Sequence, residues 1–101
     1  MREIKFRAWD SISNVLHPWS SIINIGLGGF MLDHYTLEQF TGLQDKNGVD
    51  IYEGDKLRRQ NGKIDVVVFD SGSFCVKHEN GDMDFIAYNN QFEITGNIHE
   101  S

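Results

Sequence analysis

Residues 55–88 read DKLRRQNGKIDVVVFDSGSFCVKHENGDMDFIAY, and the punctuation of this stretch decides the fold class. Asn61-Gly62 and Asn80-Gly81 are dipeptides favoured where two strands reverse through a two-residue type I′ turn, and Ser71-Gly72 between them is a weaker signal of the same kind. The turns divide the stretch into runs at 55–60, 63–70, 73–79 and 82–88. Within them the apolar residues alternate: Ile64, Val66 and Val68 share one face, Phe74, Val76 and His78 another, and Met83, Phe85 and Ala87 a third. Val67 and Phe69 fall on the opposite side of their run, which predicts a central strand covered on both faces. The whole reads as an antiparallel meander.

Upstream, residues 40–57 (FTGLQDKNGVDIYEGDKL) form a junction: a turn at 45–48, the apolar pair Ile51 and Tyr52, and a second turn at 53–55. Downstream, residues 88–91 read as a polar turn or a single turn of 3-10 helix, and Phe92, Ile94 and Ile98 mark a last strand. Four meander strands and a closing one predict a small antiparallel barrel of the Src-homology-3 kind, in which closure disposes of exposed edges. Near the start, residues 3–10 alternate between Ile4, Phe6 and Ala8 on one side and Lys5, Arg7 and Trp9 on the other, the period of a half-buried strand. Residues 11–14 turn, and Pro18 confines any strand there to an edge. Runs at 20–25 and 30–32 lean towards β on either side of Gly26-Leu27-Gly28-Gly29, predicting a hairpin arm, and a short strand follows at 37–40. The fold class is therefore mainly β with no helix beyond two turns. The chain reads as one domain, 1–101, with a strand and hairpin arm over 1–40 and the barrel-like part over 41–101.

A chain of 101 residues has room for one modest core, and 40% hydrophobic with 24% charged content is ordinary for a folded domain. The net charge of −6 gives no general attraction to phosphate backbones. One cysteine, Cys75, excludes an intramolecular disulfide, the N-terminus has no apolar leader, and no run reaches membrane-spanning length. These features fit the cytoplasm.

MREIKFRAWD at the start, FTGLQDKNGVDIYEGDKL in the middle and EITGNIHE at the end, in that order and spacing, resemble the YopX family of phage and prophage proteins. The resemblance implies a β-rich domain with a barrel-like C-terminal part, encoded by a phage or prophage of a bacterial host. It carries over no catalytic residues.

The residues that bear chemistry each have a simpler role. Asp45, Asn47, Asp50, Glu53 and Asp55 are closely spaced oxygen donors, but their order does not match a calcium loop, and turn chemistry accounts for Asp45, Asn47, Gly48 and Gly54. His17, His34, His78 and His99 are scattered, and Cys75 and His78 fall on opposite faces of one strand, so no zinc site or other cofactor is expected. No motif places a serine on a strained turn, and Cys75 reads as a small buried hydrophobe. The run Gly26-Leu27-Gly28-Gly29 matches no phosphate-loop pattern. Lys56, Arg58, Arg59 and Lys63 cluster across one hairpin, while Arg2, Lys5 and Arg7 cluster on the first strand. Either group is a candidate nucleic-acid contact or a solvated face guarding an edge.

Three functional classes follow. The first is a non-catalytic module that binds a host or phage protein or itself. Its expected self-contacts are Trp19, Ile22, Ile23, Ile25, Phe30 and Leu32, because the N-terminal third holds more apolar surface than a small barrel covers. The second is a nucleic-acid-binding barrel using Lys56, Arg58, Arg59 and Lys63. The third is an enzyme built on the acids near Asp50. The absent catalytic constellation favours the first, a homo-oligomer without enzymatic activity.

Overall fold

The computed structural model describes residues 4–30, 32–86 and 92–100. The chain forms two compact units, Met1–Phe40 and Thr41–Ser101. The fold is mainly β, as the alternating patterns predict.

In the first unit, β1 (Phe6–Asp10) pairs antiparallel with β2 (Val15–His17) on one side and with the start of β3 (Tyr35–Gln44) on the other. The β1–β2 reversal is held by Asp10, whose carboxylate accepts the backbone N–H groups of Ile12 and Ser13 and the Ser13 hydroxyl. Between β2 and β3 the expected hairpin arm does not form. Residues 19–25 are instead a short helix, α1 (Trp19–Ile25), followed by a 3-10 turn, Leu27–Phe30.

The isoleucines of this segment favour a strand by local propensity, but its flanks and its packing favour a helix. Pro18 stands at the N-cap with φ −75°, and Gly26, at φ +99°, closes the C-terminus by donating its N–H to the Ile22 carbonyl. Ile22 is fully buried with Ala8 and Phe30, and Trp19 packs against the same cluster one turn earlier. That spacing of three aims one helical stripe at β1, and burial of Ile22 outweighs the weak β-branched penalty. The ring of Phe30 meets Tyr35 edge-on at 5.0 Å and His17 at 5.3 Å.

In the second unit, the end of β3 leads through the 45–48 turn to β4 (Asp50–Tyr52), and the chain then enters a five-stranded antiparallel sheet. Its strands are β5 (Asp55–Arg58), β6 (Ile64–Asp70), β7 (Ser73–Lys77), β8 (Met83–Phe85) and β9 (Glu93–Asn97), in the order β8-β7-β6-β5-β9. The meander strands thus stand where the turn dipeptides put them, and a last strand follows around Ile94 as expected. The sheet is curled into a half-barrel. The Ala87 position and the expected 88–91 turn lie outside the described residues.

The core of this unit is Ile51, Leu57, Val67 and Val76, with Leu43, Ile86, Phe92 and Ile94 around it. On β6 the buried face is the one carrying Asp65 and Val67, while Phe69 at the far end of that face is 49% exposed. The set Ile64, Val66 and Val68 is half-buried, so the strand is central in order but deeply covered only on the Val67 side.

Two of the meander turns differ in type from the dipeptide expectation. At 59–63 Arg59 and Lys63 pair, the Gly62 N–H returns to the Arg59 carbonyl, and only Gly62 of the loop takes a positive φ, +85°. This is a three-residue loop, a type I turn closed by a glycine bulge, and not a two-residue type I′ turn. The same loop recurs at 78–82, where Gly81 has φ +93°, and at 45–49, where Gly48 has φ +79°. The two-residue form occurs where the signal is weaker: Ser71 and Gly72 both hold positive φ, +51° and +84°, between the paired Asp70 and Ser73.

Candidate functional site

Two acids of the junction, Asp45 and Asp55, are spent on backbone, and Asp50 accepts the Gln44 side-chain amide. Asp45, 4% exposed, accepts the N–H groups of Asn47 and Val49 on one oxygen and that of Ile94 on the other. Burial alone would push its pKa up, but these N–H donors outweigh burial and leave it below the ordinary value. Next to it the Lys46 N–H donates to the Phe92 carbonyl, and the Lys46 ammonium lies 3.0 Å from Glu93. The junction turn is therefore sewn to the last strand. Asp55, also buried, caps the second turn by accepting the Tyr52 N–H at 2.7 Å. Among the described residues no three His, Cys, Asp or Glu side chains are grouped to hold a metal ion.

A second polar cluster forms at the end of the half-barrel core, following from period-2 geometry. Arg59 lies two residues after the core Leu57, Asp65 two before Val67, and His78 two after Val76, while Asp84 pairs across from Val76. One same-face step from a core residue on three strands, with Asp84 opposite Val76 on the fourth, thus brings four charged groups together. Asp65 is fully buried at the centre. Its Oδ1 lies 2.9 Å from His78 Nδ1, and its Oδ2 lies 3.0 Å from Arg59 Nε. The second contact is at ion-pair distance but misaligned for a hydrogen bond, so charge holds it rather than a shared proton. The other imidazole nitrogen, Nε2, lies 2.6 Å from Asp84 Oδ2.

A carboxylate at each nitrogen favours the imidazolium of His78, the form in which both ring N–H groups donate. The bond to Asp84, then that to Asp65, raises its pKa against an opposing contribution from burial. The cluster closes the end of the apolar core with paired charges. Beside it Arg59, Lys63, His78, Glu79 and Asn80, contributed by two hairpin loops, line a cavity of about 340 Å³.

Of the expected nucleic-acid contacts, Arg59 and Lys63 come together at this cavity, and Lys56 and Arg58 do not line it. Arg58 pairs with Glu93, and Arg59 is anchored by Asp65. In the first-strand group, Arg7 is buried against Glu38 at 2.7 Å, Lys5 lies 4.5 Å over the Phe40 ring, and Arg2 lies outside the described residues. Of the expected self-contacts, Ile22 and Phe30 are core residues and Trp19 packs against them, whereas Ile23, Ile25 and Leu32 are 59%, 65% and 59% exposed. Sequence reading missed Asp65, because an aspartate between Ile64 and Val66 looks like the solvent side of a strand. The detectable signal was the same-face relation of Arg59, Asp65 and His78 to the core valines and Leu57.

The model of the family described as YopX protein matches residues 23–101. The chain belongs to the YopX family. The crystal structure of protein EF1440 from Enterococcus faecalis has the same fold, with a TM-score of 0.72 and 23% identity over 98% of this chain and 95% of that one. No curated protein matches the sequence. In this YopX chain the two motifs DKNG and EITGN meet through Asp45, Lys46, Glu93 and Ile94, which gives both a structural reason. No helix among the described residues is long and apolar enough to cross a membrane.

Proposed function

We propose that the protein is a non-catalytic interaction module, a phage or prophage accessory protein acting in the host cytoplasm, that associates with itself through its N-terminal unit. One observation carries this reading. Ile4, Ile12, Val15, Ile23, Ile25 and Leu32 are all exposed within the first 40 residues, and α1 turns Ile22 inward while leaving Ile23 and Ile25 outside. Exposed apolar groups at this density favour burial against another surface. β2 supports a second copy as the occupant. It stands at the end of its sheet order, where a strand edge can pair with its own symmetry mate in an isologous contact.

The test is size-exclusion chromatography with light scattering at micromolar concentration. A dimer or larger species that falls to monomer in the Ile23→Glu, Ile25→Glu variant is expected. A monomeric wild-type protein across that range overturns the reading.

A further inference from the structure

The cavity between the 59–63 and 78–82 loops has a charge arrangement that the core-capping role of Asp65 does not use up. Asp65 grips Arg59 through Nε, the inner edge of the guanidinium. No other described residue engages the outer N–H groups of Arg59, and the Lys63 ammonium has no partner among the described residues. Both nitrogens of His78 are occupied by carboxylates, so it offers no donor to the wall. Asn80 is also committed: its side chain bonds Asp82 through both its oxygen and its nitrogen. The remaining lining group, Glu79, is a carboxylate at the same cavity as the Lys63 ammonium and the outer edge of Arg59.

The geometry points to a binding site for one phosphoryl group, held by the outer edge of Arg59 and by Lys63. A guanidinium fixed along one edge presents a planar pair of donors that matches the oxygens of a tetrahedral anion, and a flexible ammonium supplies the second charge. Anchoring by a fully buried carboxylate removes the entropy that an exposed arginine loses on binding. Glu79 limits the charge: Asp65 already balances Arg59, which leaves Lys63 against Glu79, so the cavity can hold a single phosphoryl group through its donors but has no surplus positive charge for the flanking phosphates of a chain. The net charge of −6 adds to that discrimination against polyanions. The volume of about 340 Å³ leaves room for a small group attached to the phosphate. The site lies in the second unit and does not depend on self-association.

Titration of the ¹⁵N-labelled protein with inorganic phosphate, followed by amide chemical shifts, tests the site. Saturable shifts concentrated at residues 59–63 and 78–82 are expected, and a nucleoside 5′-monophosphate should give the same pattern while a single-stranded oligonucleotide does not compete. Lys63→Gln, which removes no buried contact, should weaken binding by about tenfold or more. Glu79→Gln should tighten it. Arg59→Gln leaves Asp65 short of an ion partner, so its spectrum is first compared with wild type for folding. Shifts that do not saturate, that scatter over other lysines, or that persist unchanged in Lys63→Gln overturn the site. An oligonucleotide that displaces phosphate overturns the single-group specificity.

Discussion

Gly62 and Gly81 hold φ of +85° and +93°, and a Cβ built at either meets nothing within 4 Å. Replacing them therefore tests backbone conformation with no steric side effect. Gly62→Val or Gly81→Val should lower stability by about 1–2 kcal/mol in urea denaturation, with Asn at either position costing clearly less. Equal costs for Val and Asn would contradict the bulged-loop geometry. His78 gives a residue-scale pH dependence. Its folded pKa is raised, chiefly by Asp84 and then by Asp65, so its contribution is complete below the ordinary histidine value of 6.5 and is lost as pH rises through the folded value. The neutral ring keeps only one donor and releases one of its carboxylates. Denaturation midpoints should decline on the alkaline side of neutrality, and the decline should flatten in His78→Gln. At the acid end the signs reverse: Asp45, Asp10 and Glu93 are all depressed, so their stabilisation fades as pH falls below the ordinary carboxylate range.

Among elements, the 45–49 loop shows how much the sequence disclosed. Its turn and the positive φ of Gly48 were legible in Asp-Lys-Asn-Gly, because short-range backbone chemistry needs no partner. Its tie to β9 was not, since Ile94 lies 49 residues away and only the folded chain brings its N–H to Asp45. Asp45→Ala removes an acceptor shared by three backbone donors and should cost about 2–3 kcal/mol or more, measured by chemical denaturation. Loss of hydrogen-exchange protection at Ile94 should accompany it. An unchanged midpoint would show that the loop and β9 are held together by other means. The β meander was legible for the same local reason, through its glycine dipeptides and alternation. α1 was not: Ile22, Ile23 and Ile25 carry strand propensity, and the decision for a helix rests on the burial of Ile22 against Ala8 and Phe30, contacts that no local pattern encodes. The Arg59–Asp65–His78–Asp84 cluster lay out of reach in the same way, because its members come from four separate stretches and meet only when β5, β6, β7 and β8 are in register.

At the scale of the whole molecule, the apolar surface is unevenly shared. The second unit buries Ile51, Leu57, Val67 and Val76 under its curled sheet and leaves Val49, Phe69, Met83 and Ile98 about half exposed, whereas the shorter first unit uses Ile22 and Phe30 internally and leaves Ile4, Ile12, Val15, Ile23, Ile25 and Leu32 exposed. A surplus of negative charge keeps copies soluble and opposes their approach at long range, so apolar burial must supply the attraction and added salt should strengthen association by screening the repulsion. Association that involves only folded copies also stabilises the fold by mass action. The midpoint of thermal unfolding should therefore rise with protein concentration from low to high micromolar, and rise further with moderate salt. In the Ile23→Glu, Ile25→Glu variant the midpoint should become independent of concentration, because the substituted side chains are largely exposed in the single copy yet make the outer face of α1 unfit for burial. A midpoint independent of concentration in the wild-type protein would show that this face stays in water and that its isoleucines serve no contact between copies.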